Sequence, residues 1–531
     1  MAGAYLAAQG IDLDAAMAEI QFGAQKSRVE LGNLPLPHPQ TEAGQSEQNP
    51  DIDQQSREAQ NRLEAILDVR LPLRNPARTW DVFLESGSVS SVQAHNPSLL
   101  EDPKYNNLVA SCEIRSDPHT RNTLDSATQA TGPNFASGCG ALLAPAPCHP
   151  HVHLDKCYLL SDPKFSDLGI EEGSFKEAME LTGKAKARFE HDDLVRRGQR
   201  LIDESVAAGV SAMRAFVEVD AGVGMKCLDA GLELKRRAER EGRCDVQICA
   251  FAQLPLFTGE NDGTDVRDLM QEAAERVGVD VLGATPYVEE SRAKMEDAVK
   301  WIIDLCLRTN KHLDFHLDYN IDPNTEPLVW NVIKSLKDSN WSSKTDKKVV
   351  LGHCTRLTLF TSSDWTRLRS EIGDLPISFV GLPTSDLFMM RASEESCTSQ
   401  PRSTLDVPRM IKRHGLDAAI GVNNIGNAFT PHGSCDPLML ANQGVGVYQA
   451  GTTRDAELLY ECVSTRARRA IGLELEGRKG GLGIEEGGRA DFVMFGRDEI
   501  EWRTRKSVAE AVWLYDGGLG RCLVKDGCLV G

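Results

Sequence analysis

Three of the twelve histidines in this 531-residue chain fall within five positions, in Cys148-His149-Pro150-His151-Val152-His153-Leu154-Asp155-Lys156. His151 and His153 stand two apart. In extended backbone residues i and i+2 point to the same side, so their imidazoles can converge on one cation. On its own the pair reads equally as two ligands or as a polar turn with incidental histidines. Two later residues shift that balance: His316, in Leu313-Asp314-Phe315-His316-Leu317-Asp318-Tyr319, and His353, in Val349-Val350-Leu351-Gly352-His353-Cys354. A lone histidine beside apolar strand residues is ordinarily a satisfied core residue. Four that reach one rim from three strands are not explained that way. Three neutral imidazoles bind Zn²⁺ or Fe²⁺ well and leave positions open for water. His119, His191, His312, His414 and His432 lack this placement and read as ordinary core or surface residues.

The elements that must position these groups alternate along the chain. Short apolar runs occur at residues 141–147, 210–217, 245–251, 279–285, 312–318, 349–353, 376–382 and 416–422. Between most of them lie stretches with apolar residues recurring at three and four, as at 230–241, 266–277, 293–309 and 329–337. Strand followed by helix eight times over predicts a (β/α)₈ barrel, whose active sites occupy the C-terminal rim of the strands. Strand-like runs at 63–73 and 80–95, and again near 491–495, 508–514 and 522–530, predict a small flanking β domain. The expected division is a mobile tail over 1–61 and a β domain from 62–98 and 486–531. A polar excursion over 99–137 and a barrel over 138–485 complete it.

Composition excludes several function classes. Lys and Arg number 59 against 78 Asp and Glu, a formal charge of −19. With no basic block to offset it, this balance argues against nucleic acid or anionic membrane as partner. No run approaches the roughly 18 apolar residues of a membrane span. The fourteen cysteines form no C-x-x-C pair and read as reduced thiols. The first twenty residues lack the basic-then-apolar pattern of a signal peptide. A cytoplasmic protein acting on a small molecule is expected.

Together, His151-Val152-His153-Leu154-Asp155-Lys156, the His316 and His353 strands and the closing Gly488-Arg489-Ala490-Asp491-Phe492 turn resemble the amidohydrolase superfamily, in its cytosine deaminase-like branch. The resemblance spans residues 142–531. It implies a barrel holding one divalent metal, Zn²⁺ or Fe²⁺, that activates water against a carbon bonded to nitrogen. His151, His153 and His316 would be its ligands, and His353 would hydrogen-bond the water or the oxyanion. Gln253 would contact the substrate ring. A single metal is implied because Thr285-Pro286-Tyr287 stands where binuclear members carry a lysine. Leu382-Pro383-Thr384-Ser385-Asp386-Leu387 also fits the branch, and fits an ordinary loop equally well. The resemblance is compatible with a homo-oligomer.

Two positions depart from the pattern. Asn423 stands where active members place a metal-binding, proton-accepting Asp; an amide ligates through oxygen but is no base near neutral pH. Tyr319 stands where deaminases of the branch carry a Glu that shuttles protons, and a phenol with a reference pKa near 10 is a poor substitute. Asn423 and Tyr319 are therefore expected at the substrate, and cytosine deamination itself is not expected. Proton transfer falls to His353 and Asp318, with Asp436 a remoter candidate; Asp318 reads also as a group that orients a ligand histidine. The expected activity is hydrolysis of a small cyclic amide, amidine or lactam-like molecule, as in secondary metabolism. The alternative is a degenerate relative that binds a ligand or assists a biosynthetic partner.

Overall fold

The computed structural model describes residues 61–100, 108–111, 134–391, 402–474, 481–496 and 501–530. Apart from residue 61 the expected tail lies outside them, as does most of the expected excursion. Five strands come first: β1 (Ala65–Val69), β2 (Trp80–Glu85), β3 (Ser88–Ala94), β4 (Leu108–Ser111) and β5 (Phe135–Ser137). They form one sheet in the order β3-β2-β1-β5-β4. After β6 (Leu143–Pro145) comes the barrel: β7 (Cys148–His153), β8 (Ala212–Glu218), β9 (Asp245–Ala252), β10 (Val279–Ala284), β11 (His312–Leu317), β12 (Val349–His353), β13 (Ile377–Gly381) and β14 (Ala418–Ile420). The chain ends with β15 (Phe492–Phe495), β16 (Arg521–Lys525) and β17 (Cys528–Val530).

The eight barrel strands run in chain order, each parallel to the next. Helices α1 (Phe175–Lys186) and α2 (His191–Ala207) follow β7, α3 (Lys226–Arg240) follows β8, and α4 (Thr264–Glu275) follows β9. Next come α5 (Arg292–Thr309), α6 (Val329–Asp338), α7 (Ser362–Ile372), α8 (Pro383–Met389), α9 (Val407–His414) and α10 (Pro437–Val447). This is the expected (β/α)₈ barrel. Its strands are buried almost throughout, as parallel strands covered by helices must be. Among the described residues no helix is long and apolar enough to cross a membrane.

The barrel closes through residues of the predicted site. Val152 on β7 bridges Asn423 just beyond β14. There the His153 N–H donates to the Asn423 carbonyl at 2.8 Å and the Asn423 N–H to the His151 carbonyl at 3.0 Å.

Both chain ends contribute to the small β domain, in two sheets. β6, β15, β16 and β17 form the second sheet. Leu63, Ile66, Val82 and Val89 on one side and Leu143, Phe492, Met494 and Val524 on the other share one apolar core. Three sequence expectations change here. The run at 141–147 is not the first barrel strand: its centre pairs with β15, and the barrel begins at Cys148. His151 and His153 thus lie within a strand rather than past its end. The run at 508–514 is a helix, α11 (Val508–Trp513), whose Ser507 hydroxyl caps the Glu510 N–H while the Glu510 carboxylate accepts from the Lys506 N–H. Ser-x-x-Glu before an apolar run is a helix-start signal that outweighs the valines. The run at 522–530 is a hairpin turning at Asp526 and Gly527, both at positive φ.

Candidate metal centre

All six residues of β7 are buried, and the alternation of the strand sends His151 and His153 into the barrel, with His316 of β11 facing them. The Nε2 atoms of His151 and His153 lie 3.2 Å and 3.1 Å from Nε2 of His316. Phe216 stacks on the His151 ring with centroids 4.0 Å apart, and Phe251 lies 4.3 Å from His316. Gly352 leaves room for the cluster: a Cβ there would sit 3.2 Å from His151 Cε1. Burial, then the neighbouring positive groups, hold all three imidazoles well below the usual histidine range, so they are neutral at pH 7.

Three neutral rings packed nitrogen to nitrogen satisfy one another poorly. Whatever the tautomers, the Nδ1 atoms of His151, His153 and His316 have no hydrogen-bond partner, an uncommon condition for buried polar atoms. The arrangement fits a divalent ion: three convergent Nε2 lone pairs form the donor set that Zn²⁺ or Fe²⁺ takes. Among the described residues this cluster contains no carboxylate.

His353 ends β12 at a positive φ of 65°. Its ring lies 5.1 Å from His316 and 6.1 Å from His151, beside the cluster rather than in it. Its Nδ1 is 2.8 Å from the fully buried Asp386 carboxylate at the start of α8. Asp386 also accepts from the Thr404 hydroxyl at 2.7 Å. A ring N–H at Nδ1 donates to this carboxylate, and in that tautomer Nε2 is an acceptor. Tyr319 covers the other face, its ring centroid 3.9 Å from that of His353, and packs on Phe175 of α1 and on Tyr287. Asp386 was within a motif marked in the sequence but carried no assigned role. Its partner lies 33 residues earlier, beyond the reach of any local pattern.

Asp318, expected either to transfer a proton or to orient a ligand histidine, follows β11 and is engaged at the start of α6. Its two carboxylate oxygens accept the Leu328 and Val329 N–H groups at 2.7 and 3.1 Å, capping the start of α6. Burial pushes its pKa to about 6 in spite of those two donors. Asp436 likewise caps α10 through the Leu438 N–H and pairs with Arg521 at 2.9 Å. Gln253 stands half-buried just past β9, where its carbonyl accepts the Thr285 hydroxyl at 2.8 Å. Asn423, 2 % exposed, donates its amide N–H to the Ser385 hydroxyl at 2.8 Å.

A second buried cluster adjoins the first and was missed in the sequence. Lys156, three residues after His153, pairs with Glu218 at the end of β8. Lys186, the last residue of α1, pairs with both Glu218 and Asp220. Burial raises the Glu218 carboxyl, but the two ammonium groups outweigh it and hold the pKa at about 2. Asp155 accepts the Glu218 N–H at 2.7 Å, and burial raises its carboxyl. The Asp155-Lys156 dipeptide was visible; its partners, 62 residues away, were not.

No protein-family model matches the sequence, and no curated protein does. Solved structures do match. A 5-methylcytosine deaminase from Klebsiella pneumoniae liganded with 5-fluorocytosine is 20% identical with a TM-score of 0.68, over 88% of this chain and 97% of the other. An N-isopropylammelide isopropylaminohydrolase from Burkholderia multivorans is 19% identical with a TM-score of 0.62, over 88% and 97%. An adenosine deaminase from Xanthomonas campestris with bound zinc is 14% identical with a TM-score of 0.54, over 88% and 92%. Likeness at such identities establishes the fold. This chain has the fold of the cytosine deaminase-like amidohydrolases, as its sequence resemblance implied.

Proposed function

We propose that this chain is a metal-dependent hydrolase that cleaves a C–N bond in a small cyclic amide, amidine or lactam-like substrate. The observation that carries the reading is the convergence of three neutral imidazoles, Nε2 to Nε2 at 3.1–3.2 Å, inside the rim of a deaminase-type barrel. His151, His153 and His316 would hold one Zn²⁺ or Fe²⁺. When bound, such an ion lowers the pKa of a water toward neutrality and polarises the substrate's carbonyl or imine.

The remaining work falls to the chain's own side chains. His353 Nε2 takes a proton from the attacking water and returns it to the departing nitrogen, while Asp386 holds the ring and stabilises its charged form. Asn423 can take no proton, and the Asp318 carboxylate is committed to backbone N–H groups. On this reading Tyr319, packed on His353, and Gln253 would contact the substrate ring. A phenol in place of a shuttling carboxylate favours a substrate other than cytosine, in keeping with secondary metabolism in the cytoplasm.

A second reading, binding without hydrolysis, is favoured by one feature: the histidine cluster contains no carboxylate. One experiment separates the two. The chain is purified without chelator, its metal content measured by mass spectrometry before and after loading with Zn²⁺ or Fe²⁺, and a panel of cyclic amides and amidines assayed for ammonia or ring-opened acid. About one metal per chain, lost together with turnover in His151→Ala, supports the hydrolase. A folded chain that stays metal-free under every loading condition overturns it.

A further inference from the structure

Five of the segments that follow barrel strands send apolar side chains to one cluster at the C-terminal rim. Phe175 opens α1 after β7, Tyr287 follows β10, and Tyr319 follows β11. Met389 ends α8 after β13, and Phe429 lies beyond β14. Together they belong to an apolar cluster distinct from the barrel core and from the core of the β domain. Its rings meet edge to face or tilted: Phe175 lies 6.3 Å from Tyr319 and 5.8 Å from Phe429, and Tyr287 lies 6.2 Å from Tyr319. Tyr319 joins the cluster to the histidines, its ring centroid 3.9 Å from that of His353.

Two features mark a binding surface rather than simple loop packing. First, Phe175, Tyr287 and Phe429 are only half-buried, so part of each ring stays accessible beside a centre whose four histidines are at most 3 % exposed. Partly open aromatic area next to a convergent polar centre is what lines a small-molecule site. Second, the charges that border the cluster are already paired. The Lys156 ammonium, 5.9 Å from the Phe429 ring centroid, is held by Glu218, and Asp386 is held by His353 and Thr404. Burial pushes the Tyr287 hydroxyl up, so the phenol is neutral at pH 7. A group entering past Tyr319 therefore meets aromatic faces and a thioether, which favour a flat apolar partner. A carboxylate there would lose its hydration without gaining a counter-ion.

We infer that the substrate carries an aryl substituent on the ring that is hydrolysed, and that Phe175, Tyr287, Met389 and Phe429 form the subsite for it. This rests on the hydrolase reading for the ring itself, which Tyr319 and Gln253 contact, whereas the subsite needs no metal to hold its group. Because Tyr319 borders both places, the aryl group is attached directly to the hydrolysed ring rather than through a long linker.

Three lactams serve as probes: pyrrolidinone, phenylpyrrolidinone and pyroglutamate, which carry hydrogen, phenyl and carboxylate on the same ring. Their affinities are measured by calorimetry with the full-length chain, metal-free and loaded with Zn²⁺. Phenylpyrrolidinone binds at least about 10-fold more tightly than either of the others in both forms. Phe175→Ala and Phe429→Leu each reduce that ratio at least about threefold, whereas Trp502→Ala, at an exposed tryptophan outside the cluster, leaves it unchanged. Equal affinity for the three lactams, no binding of any of them, or a phenyl preference that survives both phenylalanine substitutions overturns the subsite and leaves the hydrolase reading standing. A phenyl preference lost in those variants, from a chain that takes up no Zn²⁺, supports the subsite and overturns the hydrolase.

Discussion

At the end of β7 the chain buries two polar clusters side by side. His151 and His153 meet His316 without any counter-charge, and each leaves an Nδ1 unpartnered. Three residues further on, Lys156 enters a network in which Lys156 and Lys186 face Glu218 and Asp220, two cations against two anions. Both clusters are at the C-terminal rim and both are out of water, yet one is internally balanced and the other is not. Balanced charges bury themselves: the ionic cluster ties the ends of β7 and β8 to α1, and so fixes the helix that brings Phe175 against Tyr319. Unbalanced lone pairs call for a ligand from outside. The same depth of burial therefore marks a structural brace in one place and a binding centre in the other, and hydrogen-bond satisfaction tells them apart.

The largest effect that would sharpen this contrast is on the histidines. Replacing His316 with Ala should abolish metal retention, an affinity loss beyond the roughly 100-fold that removal of a supporting group costs, with circular dichroism unchanged. A variant that kept its metal would erase the distinction between the clusters. The brace should respond in the opposite way. Glu218→Gln leaves two buried ammonium groups short of an anion and should cost about 3–5 kcal/mol in urea unfolding at pH 7, with metal still bound by the folded chain.

The pH dependence of that cost has a definite sign. Burial raises the Glu218 carboxyl but Lys156 and Lys186 depress it to about 2, so its contribution is fully present above the unfolded carboxylate range near 4.3. It is lost as the pH falls toward 2. The deficit of Glu218→Gln should shrink over that window; a constant deficit would mean that packing, not charge, does the bracing.

Smaller effects probe the residues between the clusters. Asp386→Asn removes the carboxylate that orients His353 and should lower kcat about 100-fold on any substrate identified, without changing metal content. Asp318→Asn should cost about 1 kcal/mol of stability through its cap on α6 and leave kcat within about twofold. A loss of several decades in rate there would restore Asp318 as a proton carrier.

Much of the barrel could be read from the sequence because its signal is local. The helices from Lys226 to Asp338 start and stop within a few residues of the periodic stretches, and seven of the eight barrel strands fall on the apolar runs. The apolar run at 141–147 is not the barrel strand because Leu143–Pro145 and Cys148–His153 are two extended segments only two residues apart, and only pairing with β15 assigns the first of them to the other sheet. At 508–514 the valines favour a strand, but the Ser507–Glu510 capping pattern starts a helix there.

What the sequence determined by itself was the chemistry of the centre: histidine spacing on alternating strands, an amide at 423 and a phenol at 319. Only the tertiary structure decided how each polar group is used. It turned Asp318 to a helix start, joined Asp386 to His353 across 33 residues and Lys156 to Glu218 across 62, and packed three imidazoles together with no counter-charge among them. Periodicity is written in neighbouring residues, whereas the partner of a buried charge or lone pair is set by which distant strand ends the closed barrel brings together.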